Sequence, residues 1–252
     1  MLTVVCGAAL ASEPVIEDVS GGVIDWSALR LEVTITSNHS RGAWQDRRLQ
    51  EQDALDQLNA RMSYLAGEVP ITAELTAGDI MSAGGDLGDR LSAGADRWTV
   101  EEARYYTRGG VELVGVLDLR TWLWPALVEL AEGEPLPEAE AAAATGLLVD
   151  ARGLDVDLSM CPTLQTASGV TVLSPVLYSD DAARRRAPVL YVSDPADPRA
   201  AKRAGSAPMM VQAASVDESG AIVLGTPGAR LAKDATVSAI VSRGDVVIVV
   251  SP

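Results

Sequence analysis

The 252-residue sequence contains no phenylalanine, a single histidine and only two cysteines. Aromatic residues make up 4% of the chain, so its hydrophobic cores have to be built mainly from Ala, Val and Leu. One histidine and two cysteines are too few for the usual structural zinc sites, which take four Cys or His ligands. The hydrophobic fraction of 48% still favours folded domains over a disordered chain.

The motifs of common enzyme classes are also missing from the sequence. The only histidine, His39, follows a predicted strand, and its neighbours Asn38, Ser40 and Arg41 indicate a loop without a visible catalytic partner. The sequence contains neither a Gly-x-Ser-x-Gly elbow nor a Gly-x-x-x-x-Gly-Lys phosphate loop. The segment Gly84–Gly88 is the nearest approach to a dinucleotide fingerprint, but Ala83 replaces its first glycine. We therefore predict a protein without enzymatic activity, cofactor or metal, and keep a carboxylate-based enzyme as an alternative.

Basic residues are scarce, with 20 Lys and Arg against 35 Asp and Glu, which gives a net charge of −15. Such a chain repels phosphate backbones, so nucleic-acid binding is not expected. A polybasic membrane attachment is missing as well. After the first residues, no apolar run approaches the ~18 residues that a transmembrane helix needs.

The segment Met1–Ala11 is mostly apolar and uncharged, and it ends in the small-x-small pattern Ala9-Leu10-Ala11. This pattern predicts a truncated signal peptide, with the mature chain starting near Ser12 and located in the periplasm or at the outer membrane. A lipid anchor at Cys6 is unproven, because a lipid-attachment signal prefers a small residue where Val5 stands. If Cys6 is removed with the signal, Cys161 is the only remaining thiol, and we expect it to be buried and inert.

Residues 22–132 predict an N-terminal domain with an antiparallel sheet and helices on one face. The strand is predicted from alternating apolar residues, and the main helix from an apolar face that Gly67 ends. A second helix has Thr76 as its N-cap and a Gly84-Gly85 pair that can loosen it. The predicted elements are a strand at Val23–Thr36, helices at Arg41–Ala66 and Ala77–Ala93, and a hairpin of Arg97–Tyr106 with Val111–Arg120.

Trp122 and Trp124 lie where the first domain ends, and they are the sequence's candidate interaction residues. Pro125 suits the first turn of a helix, which would leave both tryptophans before it in extended backbone and on one face. The pair would then either form one docking patch or be buried together. In a helix the two side chains would instead point about 200° apart, so that one could be core and the other exposed. The following segment, Gly133–Ala144, contains two prolines and three glutamates and predicts an exposed linker.

Residues 145–252 predict a second, mixed α/β domain, which makes the whole chain α+β. Its first strand ends in a charged turn whose signature residues are Asp150, Arg152 and Gly153. The apolar run Val246–Val250 is typical of a central strand that is buried on both faces. Ser179–Arg186, with three consecutive arginines, is interpreted as a solvated loop.

Several segments of the sequence resemble segments of a known protein family. They are Gly22–Trp26, Gly42-Ala43-Trp44-Gln45 in the main helix, Thr145-Gly-Leu-Leu-Val-Asp-Ala-Arg-Gly-Leu154 and Arg243–Val250. Together they resemble the bacterial outer-membrane lipoprotein family that includes flagellar protein P, and flagellar assembly protein T has an N-terminal module of the same type. The likeness covers residues 22–250 and departs at Ser168-Gly169-Val170, where the family has an acidic Asp-Gly-Arg turn. It implies an exported envelope protein of structural or assembly type, without implying a flagellar role.

The sequence thus leads to a non-enzymatic, exported protein that associates with other envelope proteins, with a homo-oligomer left open. Membrane contact is expected only through a partner or a lipid anchor. The alternative is a periplasmic binding module for a small ligand or a glycan strand, held between the two domains. A docking patch would favour the first hypothesis, and a deep polar cleft at the linker would favour the second.

Overall fold

The structure, a computed structural model, describes residues 12–37, 47–107, 110–131, 144–225 and 235–251. These residues form two sheets, each with its own helices, which confirms the predicted α+β class. The first unit contains β1 (Ile16–Val19), β2 (Gly22–Asp25), β3 (Arg30–Ser37), α1 (Arg47–Glu68), α2 (Ala77–Ala83), α3 (Gly85–Ala95), β4 (Thr99–Tyr105), β5 (Val111–Asp118) and α4 (Leu119–Leu130). The second contains β6 (Leu147–Asp150), β7 (Leu164–Thr166), β8 (Thr171–Leu173), α5 (Asp180–Arg185), β9 (Val189–Val192), α6 (Pro198–Ala204), β10 (Met209–Val216), β11 (Ile222–Leu224), α7 (Ala235–Arg243) and β12 (Val246–Val249).

The first sheet is antiparallel and has the strand order β1-β2-β3-β5-β4. Helix α1 covers β3 and β5. It does so because Ala54, Leu58, Met62 and Leu65 recur at helical spacing and are all buried. A Cβ at Gly115 of β5 would lie 2.9 Å from Leu58 Cδ1, so the glycine lets the helix approach the sheet closely.

The predicted single strand Val23–Thr36 is wrong, because the chain turns back between Asp25 and Arg30. β2 and β3 pair antiparallel, with Val23 opposite Glu32. In the turn, Asp25 Oδ1 accepts a hydrogen bond of 2.9 Å from the Ala28 amide. Leu29 adopts a positive φ of 56°, which the apolar alternation of the sequence does not reveal.

The predicted helix Ala77–Ala93 is divided into α2 and α3 at Gly84-Gly85, where both glycines have positive φ. Its predicted N-cap is confirmed. The Thr76 side chain accepts from the Asp79 amide, while the Asp79 carboxylate accepts from the Thr76 amide, which is a capping box. The Asp79 carboxylate also accepts from the Thr76 hydroxyl, and the bonds that it accepts from the Thr76 amide and hydroxyl lower its pKa.

The second sheet has the order β8-β7-β11-β10-β6-β12-β9, and its four strands from β10 to β9 are parallel. Strand β12 lies between β6 and β9 and is buried at every position, which confirms the prediction of a two-sided central strand. On one face α6 packs Ala200 and Ala204 against Leu148 and Val247. Buried residues of α7, including Ile240, belong to the large core on the other face.

The two units share one hydrophobic core that runs from the first sheet into the second. Trp26 meets Tyr191 of β9 edge-to-face, with ring centroids 6.0 Å apart. The Cys161 amide donates to the Ile71 carbonyl over 2.8 Å, and the Met160 amide donates to the Pro70 carbonyl over 3.0 Å. Backbone hydrogen bonds and a buried aromatic pair therefore join the units directly.

Several sequence features fall outside the described residues. They are the signal-like segment 1–11, His39, Trp44 and the linker Gly133–Ala144 up to its last residue. Within the described part of the chain, no helix combines the length and apolar character needed to cross a membrane.

Candidate functional site

Trp122 and Trp124 both lie inside α4, so the predicted extended backbone at this point is wrong. The helix starts earlier than Pro125 because Asp118 is its N-cap. Asp118 Oδ1 accepts a hydrogen bond of 2.6 Å from the Thr121 amide. Pro125 is therefore inside the helix, where it cannot donate to the Thr121 carbonyl. Residues two apart in a helix point about 200° from each other, so the two tryptophans face different surroundings.

Trp122 is part of the core, with an exposed fraction of 5%. Its indole Nε1 donates to the Leu91 carbonyl oxygen over 2.8 Å. A Cβ at Gly94 of α3 would lie only 2.6 Å from Trp122 Cδ1, so the glycine makes room for the ring. These contacts give Trp122 a structural role in joining α3 to α4.

Trp124 is partly exposed at the junction of the two units. The guanidinium carbon of Arg184, on α5 of the second unit, lies 5.7 Å from the centre of the Trp124 ring. This distance allows a cation–π interaction. The predicted loop Ser179–Arg186 is wrong here, because Ser179 Oγ accepts from the Ala182 amide and starts α5.

Two depressions meet at Trp124, with volumes of about 350 Å³ and about 320 Å³. Trp124 and Thr121 line both, so they form the ridge between them. We call this region the Trp124 surface and define it by the ridge and its four arginines. These arginines are Arg120 and Arg184 in the larger depression and Arg90 and Arg97 in the smaller one.

The four arginines differ in their surroundings. Arg90 Nη2 lies 3.0 Å from Glu129 Oε2 in an exposed ion pair. Arg120 Nη1 donates to the Arg185 carbonyl oxygen over 2.5 Å, which links the two units without neutralising the charge. Within the described residues, neither Arg97 nor Arg120 is ion-paired to a carboxylate. The site thus has positive charge available to a ligand in a chain of net charge −15.

The signature turn of the second unit lies at the carboxyl end of β6 and connects neighbouring strands. Arg152 binds Asp150 in a two-pronged ion pair, with N···O distances of 2.9 and 2.6 Å. These hydrogen bonds hold the pKa of Asp150 below its ordinary value. The Gly153 amide donates over 3.0 Å to Oγ of Ser251, the second residue after the end of β12. Its partners within the chain give this turn a structural role in joining β6 to β12.

Cys161 is fully buried, and burial raises the pKa of its thiol. Little thiolate therefore forms at neutral pH, which makes the group a poor nucleophile. In the described ranges there is no cluster of three or more His, Cys, Asp or Glu side chains that could hold a metal ion.

Sequence reasoning selected Trp124 but missed the arginines around it. Arg90 lies on α3 and Arg97 just after it, Arg120 lies on α4 and Arg184 on α5, so only the packing of these three parts of the chain brings the arginines together. The run of three arginines in an acidic chain was the one available signal, but it does not say what the side chains face.

Comparison with known protein families gives a match for the second unit. Residues 146–252 are similar to the family described as Treponema pallidum Tp0624, second domain. The matched segment contains β6 to β12 and leaves Trp124 and the whole first unit outside it. No curated protein matches the chain.

Proposed function

We propose that this chain is a non-enzymatic, exported cell-envelope protein that acts by binding another protein through the Trp124 surface. The observation that carries the proposal is the partly exposed tryptophan on a ridge between two arginine-lined depressions, at the junction of two packed units. Tryptophan and arginine are the side chains most enriched among residues that dominate protein–protein binding energies.

Export and the envelope setting rest on the sequence. They are supported by the signal-like segment Met1–Ala11 and by the resemblance to the outer-membrane lipoprotein family. The similarity to a Treponema domain concerns residues 146–252 and adds no activity to the proposal.

A small anionic ligand or a glycan strand is the second candidate for the same surface. The larger depression lies between α4 and α5, at the junction between the units, and offers an aromatic face beside two arginines. Its volume is near the lower end of the ~300–1,000 Å³ range of ligand pockets.

The two tryptophans form a matched pair for testing the proposal. Trp124→Ala removes a partly exposed ring, so we expect a smaller loss of stability than for Trp122→Ala and at least tenfold weaker binding to a partner cross-linked in the native envelope and then purified. Trp122→Ala empties a core position and should cost about 3–5 kcal/mol of unfolding free energy. Chemical denaturation measures stability, and sedimentation velocity measures hetero- and self-association.

Unchanged association of the Trp124→Ala protein, measured with a folded sample, would contradict the proposal. Loss of glycan binding with intact protein association would favour the second candidate instead.

A further inference from the structure

The Trp124 surface has a charge opposite to that of the protein as a whole. The chain carries 35 acidic and 20 basic residues, yet the lining of the two depressions contains four arginines and a single acidic residue, Asp118. The carboxylate of Asp118 is already engaged, because it caps α4 through the Thr121 amide. Asp118 still supplies one negative charge, and Glu129 beside the lining is paired with Arg90 over 3.0 Å. The surface nevertheless keeps a positive balance, to which Arg97 and Arg120 contribute without a carboxylate partner among the described residues.

The arginines are distributed on both sides of one apolar ridge. Arg90 and Arg97 line the depression on one side of Trp124, and Arg120 and Arg184 line the depression on the other. Pro125 and Ala183 extend the apolar character of the ridge and its flank. A group that fits this arrangement has an apolar centre with negative charge on both sides.

Arg97 and Arg120 are the guanidinium groups best placed to bind the carboxylates of a ligand. Both are exposed, and in the described part of the chain neither has a carboxylate partner. Guanidinium groups bind carboxylates through two parallel hydrogen bonds, which adds direction to the attraction.

We propose that the Trp124 surface recognises a short acidic peptide segment, in which carboxylate side chains flank an apolar residue that packs on the Trp124 ring. This inference rests on the proposed function and names the chemistry of the partner. A short segment suits the site because its charges stay close to the arginines. Nucleic acid or an anionic membrane extends beyond the Trp124 surface, so its negative charges would also lie near the acidic remainder of the protein. Repulsion acts there because charges interact over ~10 Å at 0.1 M salt.

The probe for this inference is a fluorescein-labelled peptide, Glu-Glu-Leu-Glu-Glu, titrated with the full chain and followed by fluorescence anisotropy. The control peptides are Gln-Gln-Leu-Gln-Gln, which lacks the charges, and Glu-Glu-Ser-Glu-Glu, which lacks the apolar centre. We expect each control peptide to bind at least about tenfold more weakly, and the affinity for the probe to fall as salt rises from about 0.02 M to about 0.3 M.

Protein variants locate the binding on the molecule. Arg97→Gln and Arg120→Gln should each weaken binding of the probe about three- to tenfold, since a charge-assisted hydrogen bond is lost. Arg185→Gln is the matched control, because its exposed side chain is on α5 but lines neither depression. It removes the same net charge and should change affinity by less than about twofold.

The outcomes separate this inference from the proposed function. Equal binding of the three peptides, or equal effects of Arg97→Gln and Arg185→Gln, overturns the acidic-segment inference. The proposed function survives that result if Trp124→Ala still weakens binding to the native partner at least tenfold. Binding of phosphatidylserine vesicles in place of the peptide also overturns the inference. Peptide binding that needs Arg97, together with unchanged native association of Trp124→Ala, supports the acidic-segment site and refutes its role in association.

Discussion

Asp197 shows how one carboxylate can connect distant parts of this chain. It is buried, with an exposed fraction of 3%, and its Oδ1 accepts from the Arg199 amide over 2.7 Å at the start of α6. Arg199 Nη2 lies 2.7 Å from Asp197 Oδ2, and the Ser12 hydroxyl donates to the same oxygen. The hydrogen bonds from Arg199 are the main reason why the pKa of Asp197 falls to about 2.

The depressed pKa of Asp197 predicts a specific pH dependence of stability. The folded value lies below the ordinary 3.8, so the stabilisation is complete above about pH 4 and is lost as the pH falls through about 2. Asp197→Asn keeps a good N-cap but removes the charge, and should cost about 2 kcal/mol at neutral pH. Urea denaturation at a series of pH values measures the difference in unfolding free energy between the unsubstituted and Asp197→Asn proteins. This difference should shrink below about pH 4.

Asp181→Asn is the control for this residue-scale prediction. Asp181 is exposed, and its Oδ2 lies 3.9 Å from Arg185 Nη2. Removal of its charge should therefore change the unfolding free energy by less than about 0.5 kcal/mol. A constant stability deficit of Asp197→Asn from neutral pH down to about 2 would show that the charge of Asp197 does not stabilise the fold.

At the scale of elements, α1 and α2 contact each other at a pair of glycines, Gly67 and Gly78. Gly67 was predicted to end the main helix, but α1 includes it and ends at Glu68. A Cβ at Gly78 would lie 2.8 Å from the Gly67 carbonyl oxygen, so α2 can approach this closely only with glycine at that position. A Cβ at Gly67 would find its nearest neighbours at 3.8 Å, which is ordinary contact.

The asymmetry of this crossing predicts opposite effects for the same substitution at two neighbouring glycines. Gly78→Ala forces a side chain against backbone that cannot rotate away, so it should cost about 1–3 kcal/mol. Gly67→Ala reduces the freedom of the unfolded chain without a clash and should stabilise by up to about 1 kcal/mol. Thermal denaturation of both variants tests the pair, and destabilisation of equal size would contradict the crossing geometry.

At the scale of the whole molecule, the two units are packed together and are not merely joined by a tether. The Trp26–Tyr191 pair and the backbone hydrogen bonds of Cys161 and Met160 cross between them. The Ser27 hydroxyl donates to the Tyr191 carbonyl of β9 over 3.1 Å, so the first unit also covers the edge strand of the second sheet.

This packing changes what is expected from limited proteolysis. The composition of Gly133–Ala144 predicts that proteases cut there first. Because the core is continuous, the two pieces should stay together in size-exclusion chromatography and separate only on a denaturing gel. In a Trp26→Ala protein the cut pieces should separate more easily. Separate elution of the native pieces, or a first cut inside Leu147–Val149, would contradict this account.

The sequence by itself determined the elements whose apolar pattern is strong. The buried face of α1, the capping box at Thr76 and the two-sided burial of Val246–Val249 all follow from residue spacing and local hydrogen-bonding capacity. The domain limits at 133–144 remain predictions from composition. The turn at Leu29 was missed because its positive φ leaves no mark in the alternation of apolar residues.

Only the tertiary structure decided how these elements meet. Trp122 and Trp124 have the same chemistry, but the helix start at Asp118 turns one into the core and the other toward Arg184. The arginines of the candidate site are separated by up to 94 residues, from Arg90 to Arg184, and are brought together by packing of α3, α4 and α5. Periodicity fixes which side chains share a face within one element, whereas the contacts between elements depend on cores that form between distant segments.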